Sequence, residues 1–146
     1  VAIAAGYVSD IKITNNEIHN VSYSGISLGW GWNRDSVCMK NNYVARNNIY
    51  RYAAHMYDVA GIYTLGNQPG TLIQENYVHD IYHPGYVHDP KHWFYLYTDE
   101  GSSNITIRNN YIDSEKFLQN ANGPGNVWEN NGPMVNDSIR RNAGRK

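Results

Sequence analysis

Asn16-Glu17-Ile18-His19, Asn47-Asn48-Ile49-Tyr50, Asn76-Tyr77-Val78-His79 and Asn110-Tyr111-Ile112-Asp113 are four copies of one pattern, an Asn with Ile or Val two places on. They recur at intervals of 31, 29 and 34 residues. A second element follows the first three copies, in Gly25-Ile26-Ser27-Leu28, Gly61-Ile62-Tyr63-Thr64 and Tyr95-Leu96-Tyr97-Thr98. From Tyr63 to Asn76 is 13 residues and from Tyr97 to Asn110 is again 13, so the variable length falls between the Asn element and the second element. An internal repeat of about 30 residues means stacked supersecondary units, each unable to bury its apolar face alone.

The segments between these copies decide which kind of unit stacks. Ile11-Lys12-Ile13-Thr14, Thr71-Leu72-Ile73-Gln74 and Ile105-Thr106-Ile107-Arg108 alternate with period 2, as short strands do. No stretch sustains a period of 3.6, which disfavours helical solenoids, and the uneven loops disfavour a propeller of four-stranded blades. The sequence therefore predicts an all-β solenoid of about four to five rungs, with strands paired in parallel at about 4.8 Å. Equivalent Asn side chains would then stack as a ladder, which explains Asn16, Asn47, Asn76 and Asn110 structurally, without catalysis. Asp137-Ser138-Ile139-Arg140-Arg141-Asn142-Ala143-Gly144 reads as a short helix with an Asp or Ser cap and a Gly stop, suited to capping the coil. Residues 1–146 are expected to be one β-helix domain, the C-terminal part of a longer chain, because strand begins at once and nothing caps it.

The bulk numbers exclude several functions. Twelve basic against thirteen acidic side chains leave a formal net charge of −1, without the basic face that phosphate neutralisation requires. No apolar run approaches the roughly 20 residues of a membrane span. The single cysteine, Cys38, rules out an intrachain disulfide and a multi-cysteine zinc site, and is expected as a small buried hydrophobe. Tyrosine is the compositional outlier, with 13 Tyr and 4 Trp against 2 Phe. Such amphipathic rings fill strands readily, and they also line sites for sugars.

If Ile62, Thr64, Leu96 and Thr98 face inward, then Ser27, Tyr63, Tyr97 and Asp99 face outward. Tyr63 then lies beside Tyr97 on adjacent rungs, the start of a groove along which a sugar chain fits. Glycoside hydrolysis needs two carboxyl groups, and the best pair is Asp58, just before the Gly61-Ile62 strand, with Asp99, just after the Tyr97-Thr98 strand. Each also has a bland reading as a turn residue. In the repeat alignment Asp58 matches His92 and Asp99 matches Leu65, so the two flank opposite ends of one strand position. Seven extended residues span about 23 Å, so the pair meets only if the chain before Gly61 curls back over the groove.

Of the six histidines, His19 and His79 share a repeat position, which suits a structural ladder. His55, His83, His88 and His92 sit in loops beside the groove, where an imidazole orients a sugar or serves as general base. Trp30 and Trp32, in Gly29-Trp30-Gly31-Trp32, suit either stacking on sugar faces or covering the end of the coil.

The segments Gly25–Trp32, Gly61–Gly66 with Gln68–Thr71, and Tyr97–Ser103 resemble bacterial right-handed parallel β-helix proteins of the pectate-lyase-like superfamily, with glycoside hydrolase family 141 the nearest likeness. The resemblance spans nearly the whole chain, and the tail Ile139–Gly144 is similar to the family's ending after the coil. That family includes α-fucosidase and xylanase activities. The resemblance implies a secreted or periplasmic carbohydrate-active enzyme with Asp58 and Asp99 as the catalytic pair. Trp30, Trp32, Tyr63, Tyr97, His55, His88 and Glu100 are the expected contacts to a polysaccharide or oligosaccharide. Where the family often has a Gly-rich stretch after the first Asp, this chain has Val59-Ala60-Gly61. No cofactor is expected for a hydrolase. A polysaccharide lyase on the same fold, with calcium, and a non-catalytic glycan-binding or structural β-helix are the competing readings.

Overall fold

A computed structural model describes residues 1–146 as five coils of parallel strand. The first coil contains β1 (Ile3–Ala5), β2 (Lys12–Thr14) and β3 (Glu17–His19). The second contains β4 (Ile26–Leu28), β5 (Tyr43–Ala45) and β6 (Asn48–Tyr50), and the third β7 (Val59–Thr64), β8 (Asn67–Gln74) and β9 (Tyr77–His79). The fourth contains β10 (Trp93–Thr98), β11 (Ser103–Arg108) and β12 (Tyr111–Ile112), and the fifth β13 (Phe117–Gln119) and β14 (Val127–Glu129). Equivalent strands stack into three sheets: β1-β4-β7-β10-β13, β2-β5-β8-β11-β14 and β3-β6-β9-β12. Every pairing is parallel.

Register turns the sequence repeat into columns of like side chains. Ile13, Val44, Ile73, Ile107 and Trp128 pair rung to rung, as do Ile18, Ile49, Val78 and Ile112. The third column is Ile26, Ile62, Leu96 and Phe117. These columns form the main core, and each fully buried aliphatic side chain contributes about 1.5–3 kcal/mol.

The corner between the second and third sheets carries the Asn ladder. Asn47 Nδ2 donates to Asn76 Oδ1 at 2.9 Å and to the Ile13 carbonyl at 2.9 Å, and its own Oδ1 accepts from the Asn16 backbone N–H and Nδ2. Asn76 and Asn110 repeat the arrangement, and Asn131 ends it. Each interior amide therefore spends both hydrogens and both lone pairs, which makes its complete burial tolerable. The residue before each ladder Asn turns the corner in the left-handed region: Asn15, Arg46, Glu75, Asn109 and Asn130 have φ between 52° and 57°. Asn131 was not among the repeats read from sequence, because the last interval shrinks to 21 residues and no Ile or Val follows it.

On the outer face of the third sheet, His19, Tyr50 and His79 stack at 5.0 Å between rings, as their shared repeat position implies. The C-terminal helix α1 (Ser138–Asn142) lies along the flank of the coil: Gly144 N–H donates to the Arg46 carbonyl, and Arg140 sits over the Tyr111 ring. Asp137 makes no side-chain cap bond; it pairs instead with Arg140 and Arg141. Cys38 departs from expectation. It is exposed, because it lies in the long excursion between β4 and β5 and not on a strand.

Candidate functional site

The longest excursions from the coil lie between β4 and β5, between β9 and β10 and between β6 and β7. They rise on the outer side of β7 and β10. Tyr63 and Tyr97 are paired in register there and point outward, away from the main core. Their rings form a second small apolar cluster with Ala60 and Leu65, and meet edge to face with centroids 5.1 Å apart. Tyr63 is 7% and Tyr97 3% exposed, so the excursions have roofed over the groove that the sequence led one to expect.

Above them lies a cleft of about 520 Å³. Asp58 and Asp99 both line it. The straight-strand separation does not keep them apart, because Tyr63 and Tyr97 lie side by side and each reaches one of the acids. Tyr95 and Leu96 are consecutive yet both belong to the main core, and Val59 and Ile62 belong to it with Ala60 facing outward between them. The alternation slips at Gly61 and Tyr95, and a strand that slips its alternation bends. Asp58 itself adopts φ 53°, a left-handed turn that Asp tolerates, with its N–H bonded to the His92 carbonyl at 2.8 Å and its carbonyl accepting from the Tyr23 hydroxyl at 2.7 Å.

The side chains then cross between rungs. Tyr63, on the third coil, donates to Asp99 Oδ2 at 2.5 Å; Tyr97, on the fourth, donates to Asp58 Oδ1 at 3.2 Å. Asn120, just beyond β13, donates to Asp99 Oδ1 at 2.8 Å. His92 Nε2 also meets Asp58 Oδ1 at 3.2 Å, and the imidazole packs edge-on against Phe94. Asp99 is buried, whereas the Asp58 side chain is half exposed. Burial, then the charge of Asp99, pushes the Tyr97 hydroxyl far above its ordinary value, and Asp58 adds to the effect. Burial and the bond to Asp99 do the same to Tyr63.

The cleft's other walls are polar. Glu100 and Asp89 bring it to four carboxylates, and His88 leans on Tyr57 with ring centroids 5.6 Å apart. No Lys or Arg lines it. Trp32 overhangs the cleft from the β4–β5 excursion, which is seated by Gly101: at φ 77° that residue lies so close to the Asn33 backbone that no Cβ fits between them. Trp30 packs edge-on against Trp32 at 5.2 Å but lines a separate depression with Tyr7, and both indoles are about half exposed. His55 stands outside the cleft, with Nδ1 2.5 Å from the Tyr86 hydroxyl. Reading the sequence missed Asn120, Asp89 and Tyr57. His92 was among the loop histidines, and its alignment with Asp58 was the signal that it would sit alongside. No cluster of His, Cys, Asp and Glu has the arrangement to hold a metal ion, and no helix is long and apolar enough to cross a membrane.

Comparison with known proteins agrees with this architecture. The family model described as right-handed β-helix region matches residues 1–145. The chain belongs to that family. Among curated proteins, none matches. A solved structure titled "Glycoside hydrolase" superposes on this β-helix with a TM-score of 0.96 at 67% sequence identity, over 97% of this chain. The β-helix described here spans 24% of that protein's length.

Proposed function

We propose that this β-helix carries the carboxylate pair of a glycoside hydrolase, with Asp58 and Asp99 acting on a polysaccharide or oligosaccharide held in the cleft between them. The observation that carries the reading is their convergence: two acids 41 residues apart in sequence line one cleft and are each held by a tyrosine from the neighbouring rung. Hydrolysis of a glycosidic bond needs one carboxyl group to protonate the leaving oxygen and one to act as base or nucleophile. Asp99 is buried and accepts on both oxygens, which suits the base or nucleophile. Asp58 is held through Oδ1 alone on a half-exposed side chain that lines the cleft, which suits the acid. Trp32 and Tyr57, at the rim, offer ring faces to the apolar side of a sugar.

The glycoside hydrolase title of the similar structure supports the same reading. A lyase fits less well, since a cleft of four carboxylates without Lys or Arg repels a uronate. The test is a screen of plant and algal polysaccharides for reducing-sugar release. Asp99→Asn and Asp58→Asn should each lower kcat by about 10²–10⁴-fold with the fold unchanged by circular dichroism. Undiminished activity in both variants would remove the pair from the reaction, and an ultraviolet-absorbing product would establish elimination in place of hydrolysis.

A further inference from the structure

Tyr63 and Tyr97 look, from sequence, like sugar-stacking residues on an open face. Burial leaves little of either ring for stacking: Tyr63 does not line the cleft, and Tyr97 reaches its wall with 3% of its surface exposed. Their hydroxyls are spent on the acids instead, and the pattern of those bonds is specific. Each donor reaches across the inter-rung gap: third coil to Asp99 after β10, fourth coil to Asp58 before β7. The two rings brace one another edge to face at 88°, and Tyr63 is braced further by Tyr23 at 6.4 Å. Tyr23 in turn fixes the Asp58 backbone through its carbonyl.

The geometry points to Tyr63 and Tyr97 as positioning residues, a crossed pair that uses the stacking of two coils to fix where the carboxyl groups of Asp99 and Asp58 stand relative to one another. This rests on the hydrolase reading for what the acids do, but the holding itself is a property of the folded chain. Register and packing make the device rigid: Tyr63 and Tyr97 are direct partners in the ladder, and each buried ring blocks rotation of the other. The backbones of the acids are tied separately, Asp58 through His92 and Tyr23 and Asp99 through Thr64, and the tyrosines add the tie on the carboxyl groups themselves. Asn120 and His92 each add one contact to the same acids from one side, Asn120 to Asp99 and His92 to Asp58. The tyrosine pair alone links both acids to a shared support.

Tyr63→Phe and Tyr97→Phe remove only the hydroxyls and keep the buried rings. On whichever glycan the screen shows to be cleaved, each should lower kcat by about 10–100-fold and leave KM within about twofold. A rise in KM at constant kcat would make the tyrosines substrate contacts, and unchanged kcat in both would make the bonds incidental; either overturns the inference. A second readout needs no substrate. In proton NMR, the Tyr63 hydroxyl should give an exchange-protected, downfield resonance that disappears in Asp99→Ala, which removes the acceptor, while the remaining spectrum stays dispersed. Asp58→Ala should remove the corresponding Tyr97 signal. If those resonances are present and no glycan is cleaved, the holding geometry stands and the hydrolase reading falls. If both are absent from the wild-type spectrum, the crossed pair falls whatever the activity.

Discussion

At the scale of single residues, the most exacting consequence concerns tyrosine. Burial, with the charges of Asp58 and Asp99 beside it, pushes Tyr23 from 10 up to about 12. Tyr63, Tyr97 and Tyr52 are displaced the same way, chiefly by burial. A phenol whose folded value is raised holds its proton after the unfolded chain has lost it. The stability these phenols contribute is therefore present below about pH 10 and falls as pH rises from there toward 12. Urea midpoints measured across that window should drop, and phenolate absorbance at 295 nm should show a late group of tyrosines ionising only as the chain unfolds. A single smooth transition of all 13 tyrosines near the ordinary value would contradict the burial described here. Asp58 and Asp99 could be nominated from the sequence, because few carboxylates flank the outward strand positions. Their mutual approach could not be read there, since it depends on tyrosines that reach across rungs, which no local pattern announces. The burial of Tyr63 and Tyr97 was equally hidden: period 2 gives the side a residue faces, and says nothing of a loop folding over it.

At the scale of elements, the Asn ladder is where the sequence spoke most clearly. Its spacing alone located four corners of the coil, and hydrogen bonds explain why Asn occupies them. The fifth corner, at Asn131, escaped because its coil is short and its neighbour is Gly132. The ladder should also be graded in energy. Asn76→Ala leaves the Asn47 N–H and one Nδ2 hydrogen of Asn47 without their acceptor and takes a donor from the Val44 carbonyl, while Asn110 Oδ1 keeps the Asn76 backbone N–H, all in a corner without solvent. Each buried group left without a partner costs about 1–3 kcal/mol, so the substitution should cost about 3–5 kcal/mol in urea unfolding. Asn16→Ala, at the partly exposed end, removes bonds to Asn47 alone and should cost about 1 kcal/mol. Equal costs at the two positions would show that the amides do not act as a connected ladder.

At the scale of the whole molecule, stability in a stack of coils is a sum over rungs and the contacts between neighbours. The third and fourth coils have partners on both sides and the longest strands, β7, β8, β10 and β11. The first coil is paired on one side only, and the fifth holds β13 and β14 with no third strand. The candidate acids sit on the third and fourth coils, so the site is built where local opening costs most. Amide hydrogen exchange on the 146-residue chain should therefore be slowest in β8 and β11, intermediate in β5, and fastest in β1, β2 and β13. Ile73→Ala, in the middle of its column, should cost about 2–5 kcal/mol. Ile13→Ala should cost less and speed exchange in the first coil alone, because that rung can open while the others remain stacked. Uniform protection from β1 to β14, with both substitutions raising exchange everywhere, would mean that the coils melt as one unit and that their neighbours do not set their stability.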